Sequence, residues 1–206
     1  MKILIVGASI RTLAYTLTLQ NSQHLFTLDM ISDKTEVGLS DKLQPGCLES
    51  DHPILPAVRL HIPENAKSST FLRHSWVLRG MAIQAINQGL NLHLRSFEKT
   101  IENGASIFEG KASESLRGPI QFDLKYKSDG TEIGTVWHGS VNLIRNGDSF
   151  CFDRGDGTFE HWTPKKEEGA GNLQTGRWIG VDPRFGLKSA IESGIHDAHV
   201  LLKSLK

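Results

Sequence analysis

Residues 1–7 form a near-continuous apolar run, Ile3, Leu4, Ile5 and Val6, that ends at Gly7. A run without alternation is the pattern of a strand covered on both faces, as in a parallel sheet. Over residues 10–20 the apolar positions Leu13, Ala14 and Leu17 recur at helical spacing; "NSQH" then interrupts, and "LFTLDMIS" resumes as a second strand. Strand, helix and strand within about 32 residues predict a βαβ unit whose two strands are parallel and adjacent.

Residues 38–67 carry Pro45, Pro53, Pro56 and Pro63 and hold no period. That predicts a long ordered loop with short extended pieces, and loops of such length are often functional. A second amphipathic helix fits "SWVLRGMAIQAINQG", with Val77, Leu78, Met81, Ala82, Ala85 and Ile86 on one face and Gly89 as terminator. "LNLHLRSF" alternates as a strand would. In the β-rich stretch 105–163, "FDLKYKSDGTEIGTVWHGSVNLI" and "SFCFDRGDGTFEHWT" each set a D-G pair between alternating runs, which predicts two hairpins. The polar connection "PKKEEGAGNLQTG" leads into "RWIGVDPRFGLKSAIESGIHDAHVLLKSLK": a strand, a D-P-x-x-G turn, and a helix with Ala190, Ile191, Gly194, Ile195, Ala198, Leu201 and Leu205 on one face. The expectation is an α/β fold, a Rossmann-like (nucleotide-binding) βαβ sheet with a β-rich insertion. Its nucleotide-binding core spans 1–104 and 172–206, and the insertion 105–171. The last strand is expected to return to the first sheet, so that two helix tips converge on one diphosphate.

Composition narrows the partners. With 206 residues and 38% apolar content the chain can bury one large core. Lys+Arg and Asp+Glu are 23 each, which leaves no basic footprint for nucleic acid and no polybasic block for an anionic membrane surface. The opening apolar run is too short for a signal core or a membrane span, so the sequence predicts a cytoplasmic protein. Cys47 and Cys151 form no CxxC and have no histidine at ligand spacing, so neither a disulfide framework nor a zinc site is indicated. His196 and His199 flank Asp197 without a third ligand, and no metal site is predicted. "RGD" at 154–156 reads as the turn of a hairpin, and the absence of G-x-S-x-G gives hydrolase chemistry no support.

A parallel strand feeding a helix through a glycine turn leaves backbone N–H groups at the helix N-terminus, where a pyrophosphate would sit. Gly7 supplies the tight turn, while Ser9 and Thr12 stand where the usual G-x-G-x-x-G has its second and third glycines. A carboxylate about 20 residues on is the second requirement, to accept from ribose hydroxyls. Asp29 has the spacing but lies mid-strand. Asp33 lies at the strand's C-terminal edge, where open α/β sheets bind ligands, and is favoured.

Three phrases, "DKTEVG", "FLRHSWVLRGMAIQAINQGLNLHL" and "GVDPRFGLKSAIESGIHDAHVLL", resemble in that order the FAD-dependent oxidoreductases of geranylgeranyl-reductase and aromatic-hydroxylase type. The resemblance covers the opening and closing segments and not the β-rich middle. It implies that Gly7, Ser9, Thr12 and Asp33 hold the ADP half of FAD, with Gly38 matching a following glycine. It further implies that Arg73 approaches the cofactor and that Gly180, Asp182 and Gly186 receive the pyrophosphate and flavin. Cys47 in "QPGCLES" matches a cysteine near the flavin and is a candidate proton donor.

The chemistry then implied is hydride transfer through a flavin to or from a small organic substrate, with NAD(P)H as an electron donor and a homodimer covering an exposed flavin face. Trp137, Trp162, Phe150, Phe152 and Phe159 are candidates for an apolar wall or for core, and His138 and His161 for acid/base roles. Two other readings stand beside it. One is an NAD(P)-binding reductase, favoured by "GAS" and opposed by the missing Y-x-x-x-K. The other is a cofactor-less remnant of the flavoprotein fold acting as a binding or regulatory subunit, favoured by the lost glycines.

Overall fold

Strand β1 (Lys2–Val6) is the organising element of the computed structural model, which describes residues 1–38, 42–49, 51–67, 71–128, 133–145, 150–166 and 171–205. After it come α1 (Ile10–Gln20), β2 (Thr27–Ile31), α2 (Leu55–Arg59), a 3-10 turn (Glu64–Ala66), α3 (His74–Asn87), β3 (Asn91–His93), β4 (Ser96–Glu102), β5 (Ala105–Gly110) and α4 (Ala112–Ser115). The rest are β6 (Ile120–Gln121), β7 (Leu124–Lys127), β8 (Thr135–Asn142), β9 (Cys151–Asp153), β10 (Phe159–Thr163), β11 (Gln174–Gly180) and α5 (Gly186–Ser204). The chain divides into two compact units, Met1–Leu39, Met81–Asp129 and Ile191–Lys206 in the first and Ser40–Gly80 and Gly130–Ala190 in the second.

In the first unit β1 pairs in parallel with β2, Lys2 opposite Thr27 through Val6 opposite Ile31, as the unbroken apolar run predicts. Ile3, Leu4 and Ile5 are wholly buried because both faces of the strand are covered. The four-stranded sheet has the order β3-β2-β1-β7, and β4, β5 and β6 form a separate three-stranded antiparallel sheet. Leu4 and Ile31 of the first sheet share a core with Phe108, Ala112 and Leu116. The predicted strand over "LNLHLRSF" is split: Arg95 at φ +51 turns the chain between β3 and β4, which belong to different sheets.

In the second unit the antiparallel sheet has the order β11-β8-β10-β9. Gly139 of β8 stands opposite Gly176 of β11 and Trp162 of β10. A Cβ on Gly139 would come within 2.7 Å of the Trp162 ring, and one on Gly176 within 2.5 Å of the Leu43 Cβ. The two bare backbones therefore admit Leu43 and the indole, and Leu43, Trp137, Val141 and Trp162 form the core with Phe150, Phe152 and Trp178 packed on it.

Several expectations are corrected. The last strand does not return to the first sheet: β11 pairs with β8, Gln174 opposite Val141 through Gly180 opposite Thr135. Its burial alternates along the strand, the mark of a half-covered antiparallel strand rather than one buried on both faces. The edge of β1 is taken instead by β7, Ile3 opposite Leu124. The first D-G hairpin is therefore absent, since β7 and β8 lie in different sheets; its turn residues, 129 and 130, fall outside the described residues. The second hairpin forms, β9 against β10. Within the expected loop 38–67, α2 forms with a proline in its first turn, where the missing N–H costs nothing. Ile86, expected on the inner face of α3, is 45% exposed.

Candidate functional site

In the first unit Gly7 has φ +87, a conformation that glycine adopts without strain. Its amide donates to the Ile31 carbonyl at 2.9 Å. A Cβ there would meet nothing within 4 Å, so the turn faces open space. Ser9 caps α1, and its Oγ accepts from the Thr12 amide at 3.2 Å. Thr12 Oγ1 accepts from the Ser9 amide at 2.8 Å and donates to the Gly7 carbonyl at 2.8 Å. The residues in place of the two glycines thus close a capping box. Two amides are spent inside the helix end, while those of Ile10 and Arg11 have no intrahelical acceptor.

Asp33 lies just past β2 with its side chain 69% exposed, 3.7 Å from Lys34 Nζ. Asp29 is buried; its Oδ1 is 3.2 Å from His93 Nε2 and its Oδ2 3.9 Å from Lys2 Nζ. Of the two, Asp33 keeps its oxygens accessible. Gly38 has φ +86.

Sequence reasoning missed a network beside the same helix end. Arg11 Nε donates to Asp197 Oδ2 at 2.8 Å, and the Tyr126 hydroxyl donates to that oxygen at 2.5 Å. Tyr15 stacks on Tyr126 with ring centroids 3.8 Å apart. Burial pushes the Tyr15 phenol up to about 12, and burial followed by the bond to Asp197 holds Tyr126 above the usual range. The Arg11 side chain is thereby committed to Asp197, so this helix end offers an anion its amides rather than its guanidinium.

In the second unit the D-P-R-F-G turn ahead of α5 is held by its own acid. Asp182 Oδ1 accepts from the Arg184 amide at 2.9 Å, and its Oδ2 from Arg184 Nη2 at 2.6 Å, which keeps the carboxyl below its usual range. A Cβ on Gly180 would stand 2.2 Å from the Trp178 ring, and one on Gly186 would stand 2.9 Å from it. Both glycines therefore make room for Trp178. Cys47, half-buried, bridges to Phe71. Burial, then the charge of Glu160, push its thiol up, so it stays protonated near neutral pH, the state a proton donor needs. Arg73 Nε lies 3.0 Å from Asp156 Oδ2, and its guanidinium lies over the Trp76 ring.

The other feature missed is buried charge. Glu160 is fully buried and Arg154 3% exposed. Glu160 Oε1 accepts from Trp162 Nε1 at 2.7 Å, and the Gly46 amide also donates to this carboxyl. Burial raises Glu160 to about 7. The available signal was phase, since Glu160 alternates with Trp162 on one side of β10. Trp137 and Trp162 belong to the core of this unit, His161 is buried, and His138 is partly buried. Among the described residues no three His, Cys, Asp or Glu side chains are grouped to hold a metal, and no helix is long and apolar enough to cross a membrane.

A parallel βαβ sheet accompanied by antiparallel sheets, with a glycine turn opening its first helix, is a Rossmann-like α/β fold. No protein-family model matches the chain, and no curated protein matches it in sequence. Among solved structures it is similar to the halogenase PltM, at a TM-score of 0.60 and 10% identity over 99% of this chain and 69% of that one. It is similar to CabE, an aromatic hydroxylase from angucycline biosynthesis, at 0.53 and 10% identity over 98% of this chain and 62% of that one. FqzB matches at 0.56 and 10% identity over 96% of this chain and 74% of its own. At such identity these likenesses establish the fold.

Proposed function

We propose that the chain is a FAD-binding oxidoreductase acting on a small organic substrate. The observation that carries this reading is the left-handed Gly7 turn between parallel β1 and α1, with open space above it and the accessible Asp33 past the neighbouring strand. The fold shared with a hydroxylase and a halogenase supports it. When bound, the flavin would supply hydride transfer at its ring, with NAD(P)H as the donor proposed from the resemblance. The free amides of Ile10 and Arg11 and the positive end of α1 would hold diphosphate, and Asp33 the ribose hydroxyls. In the second unit Arg73, Gly180, Asp182 and Gly186 are the proposed cofactor contacts, and the protonated Cys47 thiol the proposed proton donor.

The test is a visible absorption spectrum of the purified, desalted protein before and after incubation with FAD, followed by a titration on Asp33→Ala. Retained flavin bands in the wild type and an affinity at least tenfold weaker in the variant are expected. An unchanged affinity would transfer the ribose role to Asp29. Tight NADP binding without flavin would replace this reading by that of an NAD(P)-binding reductase. Binding of neither would leave a cofactor-less regulatory subunit, the reading that the capping box over two amides favours.

A further inference from the structure

The second unit contains a cavity of about 30 Å³ lined by Lys42, Leu43, Gln44, His74, Ser75, Arg154 and Gln174. A cavity needs roughly 10–15 Å³ to hold one water, so the space suits about two oxygen atoms. Its lining is one-sided in chemistry. Besides the apolar Leu43 it has two cationic side chains, two amides, a hydroxyl and an imidazole, and no carboxylate.

Arg154 carries the argument. Its Nε and Nη1 are shut away from solvent and have no hydrogen-bond partner. The nearby carboxylate, Glu160 Oε2, is 3.7 Å from Nε, inside ion-pair range and outside hydrogen-bond reach. Glu160 is held by Trp162 and Gly46, its Oε2 likewise taking no hydrogen bond, and Asp156 is engaged with Arg73. A buried guanidinium with unmatched N–H groups is strongly unfavourable unless an acceptor is supplied. His74 Nδ1, another buried atom with no partner, belongs to a second residue of the lining. Burial lowers this imidazole to about 4, so it is neutral at pH 7 and can donate one N–H.

We infer that this cavity is a binding site for the carboxylate group of a small organic acid, with Arg154 as its cationic anchor and Gln44, Gln174, Ser75 and His74 as neutral partners. The planar two-oxygen group matches the volume, and guanidinium–carboxylate pairing is the strong, oriented form of such a contact. Resting on the flavin reading, the site makes the substrate of the proposed oxidoreductase an organic carboxylate. The pocket itself stands without that reading.

The probes are acetate, which is little more than the group itself, and benzoate. Binding is followed by tryptophan fluorescence and thermal shift on flavin-free protein, with chloride, phosphate and benzyl alcohol as comparisons. Saturable binding of both carboxylates is expected, with none by benzyl alcohol and at least tenfold weaker binding by chloride and phosphate. Arg154→Met should lose at least tenfold in carboxylate affinity. If that variant does not fold, Gln174→Leu and Gln44→Leu, which remove neutral partners, should each lose severalfold. No saturable carboxylate binding to the wild type, equal binding by the folded variants, or tighter binding of phosphate would overturn the assignment. FAD binding without carboxylate binding would remove the pocket and leave the flavin reading standing. Carboxylate binding without FAD binding would do the reverse.

Discussion

Gly194 of α5 lies directly against the carbonyl oxygen of Arg11 in α1, so close that a Cβ on the glycine would stand 2.1 Å from it. The two helices meet backbone to backbone, and the ion pair of Arg11 with Asp197, 2.7 Å from Nη2, forms at the same crossing. Because the obstructing atom is backbone, a methyl group cannot be absorbed by a rotamer change. Gly194→Ala is expected to cost about 1–3 kcal/mol by overpacking, which for a chain of this size lowers the melting temperature by roughly 2–4 °C per kcal/mol. A thermal melt checks this; an unchanged midpoint would mean that the helices do not approach so closely.

Two titratable groups of the second unit, the buried Glu160 and the partly buried His74, should give opposite pH dependences. Glu160 titrates at about 7 in the folded chain against an ordinary 4.5. Between those values the native state binds more protons than the unfolded one, and stability falls as pH rises. His74 titrates at about 4 against 6.5, so there the unfolded state binds more protons and stability falls as pH drops. Each effect is on the order of 3 kcal/mol across its window. Relative to wild type, Glu160→Gln should gain stability from pH 4.5 to 7, and His74→Gln should gain it from pH 6.5 to 4. Urea unfolding at pH 4.5, 6 and 8 measures both. Curves parallel to wild type would show that neither group is perturbed.

Ser9→Gly removes the acceptor that holds the Thr12 amide and restores the room a glycine gives. Loss of the cap is expected to cost a few tenths to about 1 kcal/mol of stability, while the freed amide should tighten FAD binding severalfold. Thermal melts and flavin fluorescence quenching read the two effects separately. Weaker or unchanged flavin binding would show that the helix end does not face diphosphate.

Local signals in the sequence were legible. The apolar run of β1, the helical period of α1 and the glycine stop of α3 each depend on neighbours a few residues apart. Gly89, at φ +98, ends α3 with its amide on Ile86 and that of Leu90 on Ala85, the paired bonds of a Schellman turn. The choice of sheet for β7 and β11 was not legible. Ile3 pairs with Leu124, far along the chain, and no dipeptide encodes that. The "DG" of the first presumed hairpin describes only a turn, whereas the strands it joins go to separate sheets. The "RGDG" turn was legible too, with Gly155 and Gly157 at positive φ between β9 and β10. Its arginine was not, because a turn signal says nothing about a side chain sent inward. At the nucleotide turn, spacing located Gly7 and Asp33, but that Ser9 and Thr12 bond to each other follows only from the three-dimensional turn.

Strand β1 is zipped on both sides, by β2 immediately after it and by β7 nearly a hundred residues later. On the ribosome, where chains lengthen by about 5–20 residues per second, one flank of this strand would therefore stay bare for roughly five to twenty seconds. A nascent chain in that interval presents an apolar ribbon with unpaired amides and carbonyls, a natural docking point for a holdase and a seed for aggregation when none is at hand.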